Sequence, residues 1–250
     1  MPELTGGDPA GRLEPVPGVM WSLPAGGCLV LWARPSEDPR LLSLLDEDAH
    51  ARHAALRRPA DRARSATAHA LTRLALGSML GMAPTALRFT RRCVHCGGPH
   101  GAPRLDPPGP PLSVSHSGDR VVVALADRPV GVDVEQVVSR DLVGVMAQAL
   151  TAAERTGVHD PRELLTLWTR KEAALKATGH GLAASLHDLV VTAAGEPAGV
   201  VTWTGVAAPP GPVHLRDLSP GAGHVGCVAL LGGEPPVLDE RDADDLLAAV

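Results

Sequence analysis

Lysine is nearly absent from this sequence of 250 residues, since 21 of its 23 basic side chains are arginine. Tyrosine is missing, and Phe89 is the single phenylalanine. No run approaches the roughly 18 apolar residues that a membrane-spanning helix needs. The N-terminus also lacks the basic start and apolar core of a secretory signal. We therefore expect a cytoplasmic protein that makes no membrane contact, and the net charge of −5 disfavours binding to nucleic acid.

Cysteine is scarce as well, with four residues in the chain. Two of them form the pair Cys93-x-x-Cys96, with His95 and His100 close in sequence. A structural zinc site needs four ligands, and a second cysteine pair is missing. We interpret the segment as a shaped loop with reduced thiols and keep zinc as the alternative.

Both lysines fall in one segment, Leu167–Lys176, on either side of Glu172. A lysine ammonium is a compact charge, whereas arginine presents a broad planar fork. Their retention here indicates two positions where arginine does not serve. On a helix, Trp168, Glu172 and Lys176 would lie along one face, with Lys171 one step round from Glu172. The alternative is an ordinary solvated Glu–Lys pair.

Two acids occupy alternate positions in an apolar segment, Pro129–Glu135. In a strand this spacing places Asp133 and Glu135 on the same face, roughly 7 Å apart. Two carboxylates that point together repel each other unless a cation lies between them. Mg²⁺ commonly fills this role, because it accepts one or two carboxylates together with water and substrate phosphate. The alternative is an edge strand whose acids face solvent.

The combination of these segments resembles the signature motifs of the 4′-phosphopantetheinyl transferases. The motifs are the Gly-Val-Asp-Val-Glu strand and, some 35 residues later, Trp-Thr-x-Lys-Glu-Ala-x-x-Lys. A third element of that family, Ser113–Gly118, stands about 17 residues before the acidic strand. The resemblance extends from about Arg57 to the strand near Ala229. It is closest to the larger type of transferase, which activates carrier proteins of nonribosomal peptide and polyketide synthesis.

The resemblance implies a set of residues that contact coenzyme A. Arg57 and Arg64 have the family's Arg-x(6)-Arg spacing, and Ser115 and His116 would hydrogen-bond the pyrophosphate, together with Lys171 and Lys176. The family's Gly-Lys-Pro turn is Gly101-Ala-Pro here, so Ala102 replaces a lysine that contacts the cofactor. We expect Arg104 to take its place.

The resemblance also implies the chemistry. Phosphopantetheine would pass from coenzyme A to a serine of an acyl or peptidyl carrier protein, releasing 3′,5′-ADP. Asp133, Glu135 and Glu172 would hold Mg²⁺, or Mn²⁺ in its place, against the pyrophosphate. Glu172 is our first choice for the base that takes the serine proton, with Lys176 as the second catalytic residue. A metal-bound water remains the alternative base.

The order of elements predicts an α+β fold with two similar lobes related by a pseudo-two-fold axis and an active site at their interface. The expected divisions are an irregular lead-in at residues 1–27, an N-terminal lobe at 28–127 that holds the adenine side of coenzyme A, and a C-terminal lobe at 128–250 that holds the metal. The patterns further predict helices at about 40–56 and from Pro59 to Gly81, the signature helix at 161–177, and at most a surface helix in the acidic tail 238–250.

The segment Val137–Leu150 carries more apolar side chains than a connection needs. Val143 and Met146 are examples. In the resembling family the equivalent segment receives a helix of the carrier protein, whereas the alternative is that these side chains are buried. We expect a monomer whose partners are carrier proteins and coenzyme A. Two other functions stay open, namely a metal-dependent phosphohydrolase of nucleotide-like substrates and a non-enzymatic module that binds carrier proteins.

Overall fold

The structure, a computed structural model, describes residues 21–99, 101–137 and 144–250, without the side chains of Val145 and Leu182. Within these ranges the chain is a mixed α+β protein of eleven strands and six α-helices. The strands are Gly27–Ala33 (β1), Phe89–Arg91 (β2), Pro103–Leu105 (β3), Leu112–Ser117 (β4), Arg120–Ala126 (β5), Val130–Gln136 (β6), Leu189–Val191 (β7), Val200–Trp203 (β8), Val213–Asp217 (β9), His224–Leu231 (β10) and Val237–Asp242 (β11). The helices are Glu47–Ala55 (α1), Pro59–Leu80 (α2), Gly144–Ala147 (α3), Ala152–Thr156 (α4), Pro161–Thr178 (α5) and Asp244–Ala248 (α6).

Two sheets pack face to face between two long helices. The first sheet has the order β11-β1-β5-β4, and the second has the order β6-β10-β9. Leu29 and Leu31 of β1 join the core beneath α2, while Val30 and Trp32 face the second sheet. Because β1 is buried on both faces, its sequence is a continuous apolar run instead of an alternating one. The outer face of the second sheet is covered by α5.

The same order of elements occurs twice along the chain. A strand, a long helix, a short two-stranded sheet and two further strands follow one another from β1 to β5, and again from β6 to β10. The sheet order also repeats, since β1-β5-β4 corresponds to β6-β10-β9. No sequence repeat accompanies this structural one.

Two local predictions are wrong. The helix expected at about 40–56 is a 3₁₀ segment, Pro39–Leu44, followed by α1, because Leu45 is extended and Asp46 caps α1 by accepting from the Ala49 N–H. The acidic tail forms β11, which pairs in parallel with β1, and then α6, whose Leu246 and Leu247 are buried. The charged residues of β11 are tolerated because β11 is an edge strand.

The predicted helix from Pro59 to Gly81 is α2, with Gly81 in the left-handed conformation after its last turn. The predicted signature helix is α5. Searched over the described residues, the structure contains no helix with the length and apolarity to span a bilayer.

Candidate functional site

Helix α5 is the scaffold of the candidate site. Its first turn is capped by Asp160, which accepts from the Glu163 N–H, and Pro161 occupies the first helical position. Gly179 ends it with φ of +79°. Most of its side chains are buried, among them Glu172, so this helix is fixed by packing on nearly all sides.

Helix α5 approaches strand β6 unusually closely, and Gly131 permits it. A Cβ at this position would lie 2.0 Å from the Ala173 carbonyl oxygen and 2.4 Å from the Ala177 nitrogen. Any larger residue would therefore push the helix off the strand. Since Asp133 and Glu135 follow Gly131 at alternate positions, they lie on the face of β6 that α5 covers.

This contact brings Lys176 onto Asp133. The Lys176 Nζ lies 2.7 Å from Asp133 Oδ1, 3.0 Å from the Val132 carbonyl oxygen and 3.1 Å from Ser115 Oγ. The side chain of Asp133 is 6% exposed and that of Lys176 is 27% exposed. An ion pair this close to the protein surface can still exchange one partner for a ligand.

Glu135 and Glu172 lie near the same pair and carry perturbed pKa values. Burial and then the charge of Asp133 raise the pKa of Glu172 to about 7, with a smaller contribution from Glu135. Burial and Asp133 also raise the pKa of Glu135. Three carboxylates crowd one region that holds a single ammonium, that of Lys176. The region therefore favours an additional positive charge.

The carboxylates keep buried oxygen atoms that lack a partner. Within the part of the chain that the structure describes, Asp133 Oδ2 and Glu172 Oε1 are both buried without a hydrogen bond. Leaving such atoms unpaired is costly, so they are the expected contacts of a ligand or ion. Among the described residues, no three His, Cys, Asp or Glu side chains form a ready-made metal cage. Mg²⁺ does not require one, because it is usually held by one or two carboxylates plus substrate phosphates. The donor set thus fits a hard divalent cation in charge and in atom type.

A row of serine hydroxyls joins β4 to β6, and we call this contact the seam. Ser113, Ser115 and Ser117 accept from the backbone N–H groups of residues 132, 134 and 136 respectively. The neighbouring side chain of His116 is exposed in a cavity beside the seam. Partial burial, together with nearby Arg64 and Lys176, lowers the pKa of His116.

The cavity has a volume of about 650 Å³ and lies between α2, β4, the loop after β2 and the end of α5. Ser115, His116 and Lys176 line one part of its wall, so the carboxylate cluster lies directly behind that wall. A pocket of this size is suited to a small-molecule ligand or to a large part of a cofactor.

Three arginines that the sequence did not indicate line the same cavity, and one of them, Arg73, is paired there with Asp46. Arg52 of α1 and Arg91 of β2 face His69 of α2. Burial, Arg91 and Arg52 lower the pKa of His69 to about 4, so its imidazole is neutral near pH 7. The signal was hidden because these residues are far apart in the sequence and meet only in the fold. Concentrated positive charge in a concave wall is typical of an anion-binding site.

The arginines predicted to contact coenzyme A are not among the residues that line the cavity, although Arg64 lies near His116. Arg64 donates to the Gly118 carbonyl oxygen and pairs with Asp61. Arg57 is exposed, as is Arg104 on β3, which lies near Gly179 at the end of α5. The walls of the cavity are formed without these three arginines.

Lys171 points away from the carboxylate cluster. Its side chain is fully buried, and its Nζ donates to Glu154 Oε2 at 2.7 Å, the Leu186 carbonyl oxygen at 2.9 Å and the Ala149 carbonyl oxygen at 3.3 Å. These three acceptors use all three donors of the ammonium. The structure thereby separates Lys171 from the coenzyme A site predicted for it and gives it a place in the core.

The segment predicted to dock a carrier protein is described only in part. Residues 138–143, including Val143, lie outside the described residues. Leu150 is fully buried, and Met146 packs against the core under α5. The described portion of this segment therefore favours the buried alternative.

The predicted cysteine loop borders the cavity. Cys93 lies in its wall, and the backbone N–H groups of Cys96 and His95 lower the pKa of the Cys93 thiol. His100, the other histidine weighed for zinc, lies outside the described residues.

Comparison with known proteins identifies one similar family. Residues 129–219, which include β6 and α5, match the family model of the 4′-phosphopantetheinyl transferase superfamily. The chain is 28% identical over 174 residues to a putative 4′-phosphopantetheinyl transferase of Synechocystis, covering 64% of this chain and 68% of the relative. It is 36% identical over 84 residues to a 4′-phosphopantetheinyl transferase of Bacillus pumilus, covering 31% of this chain and 35% of that relative.

Proposed function

We propose that the chain is a member of the 4′-phosphopantetheinyl transferase superfamily, whose model matches residues 129–219, and that it transfers 4′-phosphopantetheine from coenzyme A to a serine of a carrier protein. The observation that carries the proposal is the carboxylate–lysine cluster behind the wall of a cationic cavity. Such an arrangement combines a cavity for a phosphorylated ligand with acids suited to a cation.

Coenzyme A would occupy the cavity in our proposal. Lys176, by exchanging one of its three present acceptors, and His116 would donate to its pyrophosphate, because both line the wall beside the cluster. Arg52 and Arg91 would contact a phosphate at another part of the wall. Donors fixed in place before the reaction stabilise developing charge without reorganisation.

Asp133, Glu135 and Glu172 would hold a divalent cation, with Mg²⁺ as our proposal and Mn²⁺ as its substitute. The buried, unpartnered oxygens of Asp133 and Glu172 support this assignment. When bound, the ion would neutralise charge on the transferring phosphoryl oxygens.

Glu172 would act as the base. With the cation bound, the positive charge would keep Glu172 ionised, so that its carboxylate could accept a proton directly or through water. The carrier serine oxygen would form a bond to the phosphorus of the phosphopantetheine half, and the bond from that phosphorus to the oxygen of 3′,5′-ADP would break. The serine proton would pass to Glu172.

We further propose that the protein is of the larger, two-lobe type that serves carrier proteins of nonribosomal peptide and polyketide synthesis, and that it acts as a cytoplasmic monomer. The repeated element order supports two lobes, in which the halves of the chain divide near residues 127 and 128. Strand β11 would then be an addition from the second half to the sheet of the first.

The test is mass spectrometry of an apo-carrier protein after incubation with the enzyme, coenzyme A and Mg²⁺. We expect the carrier to gain one phosphopantetheine and an equal amount of 3′,5′-ADP to appear. Asp133→Ala should slow the transfer about 100-fold, as the loss of one electrostatic stabiliser does. Asp245→Ala, at an exposed acid of α6, is the matched control. Release of 3′,5′-ADP without any carrier protein would point to hydrolysis and contradict the proposal.

A further inference from the structure

We propose that Ser115 and Ser117 are positioning residues, which fix the carboxylates of Asp133 and Glu135 in the orientation that receives the divalent cation. This inference rests on the proposed function and gives the seam between β4 and β6 a role in the site. It differs from the sequence-based expectation, in which Ser115 contacts coenzyme A directly.

The seam combines two kinds of hydrogen bond at each of these serines. Ser115 Oγ accepts from the Val134 N–H at 3.4 Å and donates to Asp133 Oδ1 at 2.8 Å. Ser117 Oγ accepts from the Gln136 N–H at 3.1 Å and donates to Glu135 Oε2 at 2.7 Å. A serine has one hydroxyl hydrogen, so each of these serines gives its only donor to a carboxylate.

Ser113 shows what the seam looks like without a carboxylate. Its Oγ accepts from the Val132 N–H at 3.0 Å, just as Ser115 and Ser117 accept from backbone N–H groups of β6. The residue that corresponds to Asp133 and Glu135 at this step of β6 is Gly131, which has no side chain to hold. Ser113 therefore serves as a control in the same strand, because it makes the hydrogen bond that joins β4 to β6 but has no carboxylate to orient.

The two serines determine which oxygen of each acid remains available. Ser115 and Lys176 both bond Asp133 Oδ1, and Asp133 Oδ2 is left buried without a partner. Ser117 bonds Oε2 of Glu135, and Trp168 also hydrogen-bonds this carboxylate, so the two contacts together fix its orientation. Hydrogen bonds to ligating carboxylates orient the ligands of a metal, and removing such a partner typically lowers metal affinity 10–100-fold.

The experiment measures Mn²⁺ binding by electron paramagnetic resonance on the full chain, with and without coenzyme A, and coenzyme A binding by calorimetry in the presence of EDTA. We expect Ser115→Ala and Ser117→Ala each to raise the dissociation constant for Mn²⁺ about 10-fold. Ser113→Ala, which also loses one seam contact, should leave that constant unchanged. Ser115→Thr keeps a hydroxyl and should restore the affinity, and coenzyme A binding in EDTA should be the same in all four variants.

The outcomes separate the inference from the proposed function. Wild-type protein that binds no Mn²⁺ in either condition would remove the proposed metal site and the inference with it. Wild-type protein that binds Mn²⁺ while Ser115→Ala and Ser117→Ala match Ser113→Ala would overturn the inference alone. Weaker coenzyme A binding by Ser115→Ala in EDTA, together with unchanged Mn²⁺ binding, would place Ser115 at coenzyme A, directly or through Lys176, and would also overturn the inference. Should Ser115→Ala fail to fold, Ser117→Ala, at the end of β4, carries the test.

Discussion

Replacing each of the two lysines by methionine should have a different effect on coenzyme A binding, although the two residues lie only five positions apart on one helix. Lys171 is buried and its ammonium makes three hydrogen bonds, whereas Lys176 is 27% exposed in the wall of the cavity. Methionine fills a similar volume without the charge. We expect Lys171→Met to spare coenzyme A binding and Lys176→Met to weaken it, while both variants lose stability because each leaves a buried carboxylate without its ammonium.

The magnitude for Lys171→Met follows from what remains around Glu154. Removing one partner of a buried ion pair costs about 3–5 kcal/mol, because the other charge stays buried. Glu154 is 4% exposed in its side chain, but it still accepts from Thr151 N, Thr151 Oγ1 and Val191 N. Because these donors still satisfy Glu154, we expect the free energy of unfolding to fall by about 3 kcal/mol, the lower end of that range. For a chain of this length that corresponds to a fall in Tm of roughly 6–12 °C.

The assay is thermal and urea unfolding of both variants, followed by calorimetric titration with coenzyme A at a temperature where both are folded. Lys176→Met should also lose stability, because it leaves the buried Asp133 carboxylate without its ammonium, and it should bind coenzyme A at least about 10-fold more weakly, as expected for a lost charged hydrogen bond. A Lys171→Met variant that keeps its Tm but loses coenzyme A binding would refute the reasoning.

Three further predictions concern the ion pair of Lys171 and Glu154, the arginines of the cavity, and Glu172 as the proposed base. Burial raises the pKa of Glu154, but Lys171 and two backbone N–H groups outweigh it and hold that pKa below its ordinary value of 4.5. The pair's contribution to stability should thus be complete above that value and lost as the pH falls through the folded pKa, so Tm measured between about pH 6 and pH 3 should fall less steeply in Glu154→Gln. Arg52→Ala and Arg91→Ala should each raise the KM for coenzyme A about 10-fold with little change in kcat, since their contacts would lie away from the reacting phosphorus, and a fall in kcat at constant KM would contradict this. Glu172→Gln should slow transfer about 100-fold yet raise Tm, because it removes a buried carboxylate from a cluster of like charges; an unchanged rate would exclude Glu172 as the base.

Local patterns were sufficient to predict the elements whose signals are local. Pro59 at the start of α2 and Gly81 after its last turn each act within one helical turn, and both are present in the structure. The break between the 3₁₀ segment and α1 was missed, although Asp46 is a standard capping residue, because the leucine spacing on both sides fits one helix.

The sequence predicted the site less completely than the fold. Lys171 and Lys176 are five residues apart, which corresponds to about 140° around a helix, so helical geometry alone could have separated them. Ser115 and His116 are neighbours in a strand and cannot share one direction. In contrast, Arg52 and Arg91 come together only when α1, α2 and β2 pack, and no spacing in the sequence indicates this.

The pairing of β11 with β1 has a consequence for biosynthesis. The indole of Trp32 on β1 donates to Glu240 on β11, a residue 208 positions further along the chain. At about 5–20 residues per second, a ribosome would need roughly 10–40 s to make the intervening chain. During that interval β1 has an open edge, which is a site where strands of other molecules can add. The nascent protein therefore depends on the late arrival of a charged strand, and a chaperone that shields β1 until then should improve the yield of folded protein.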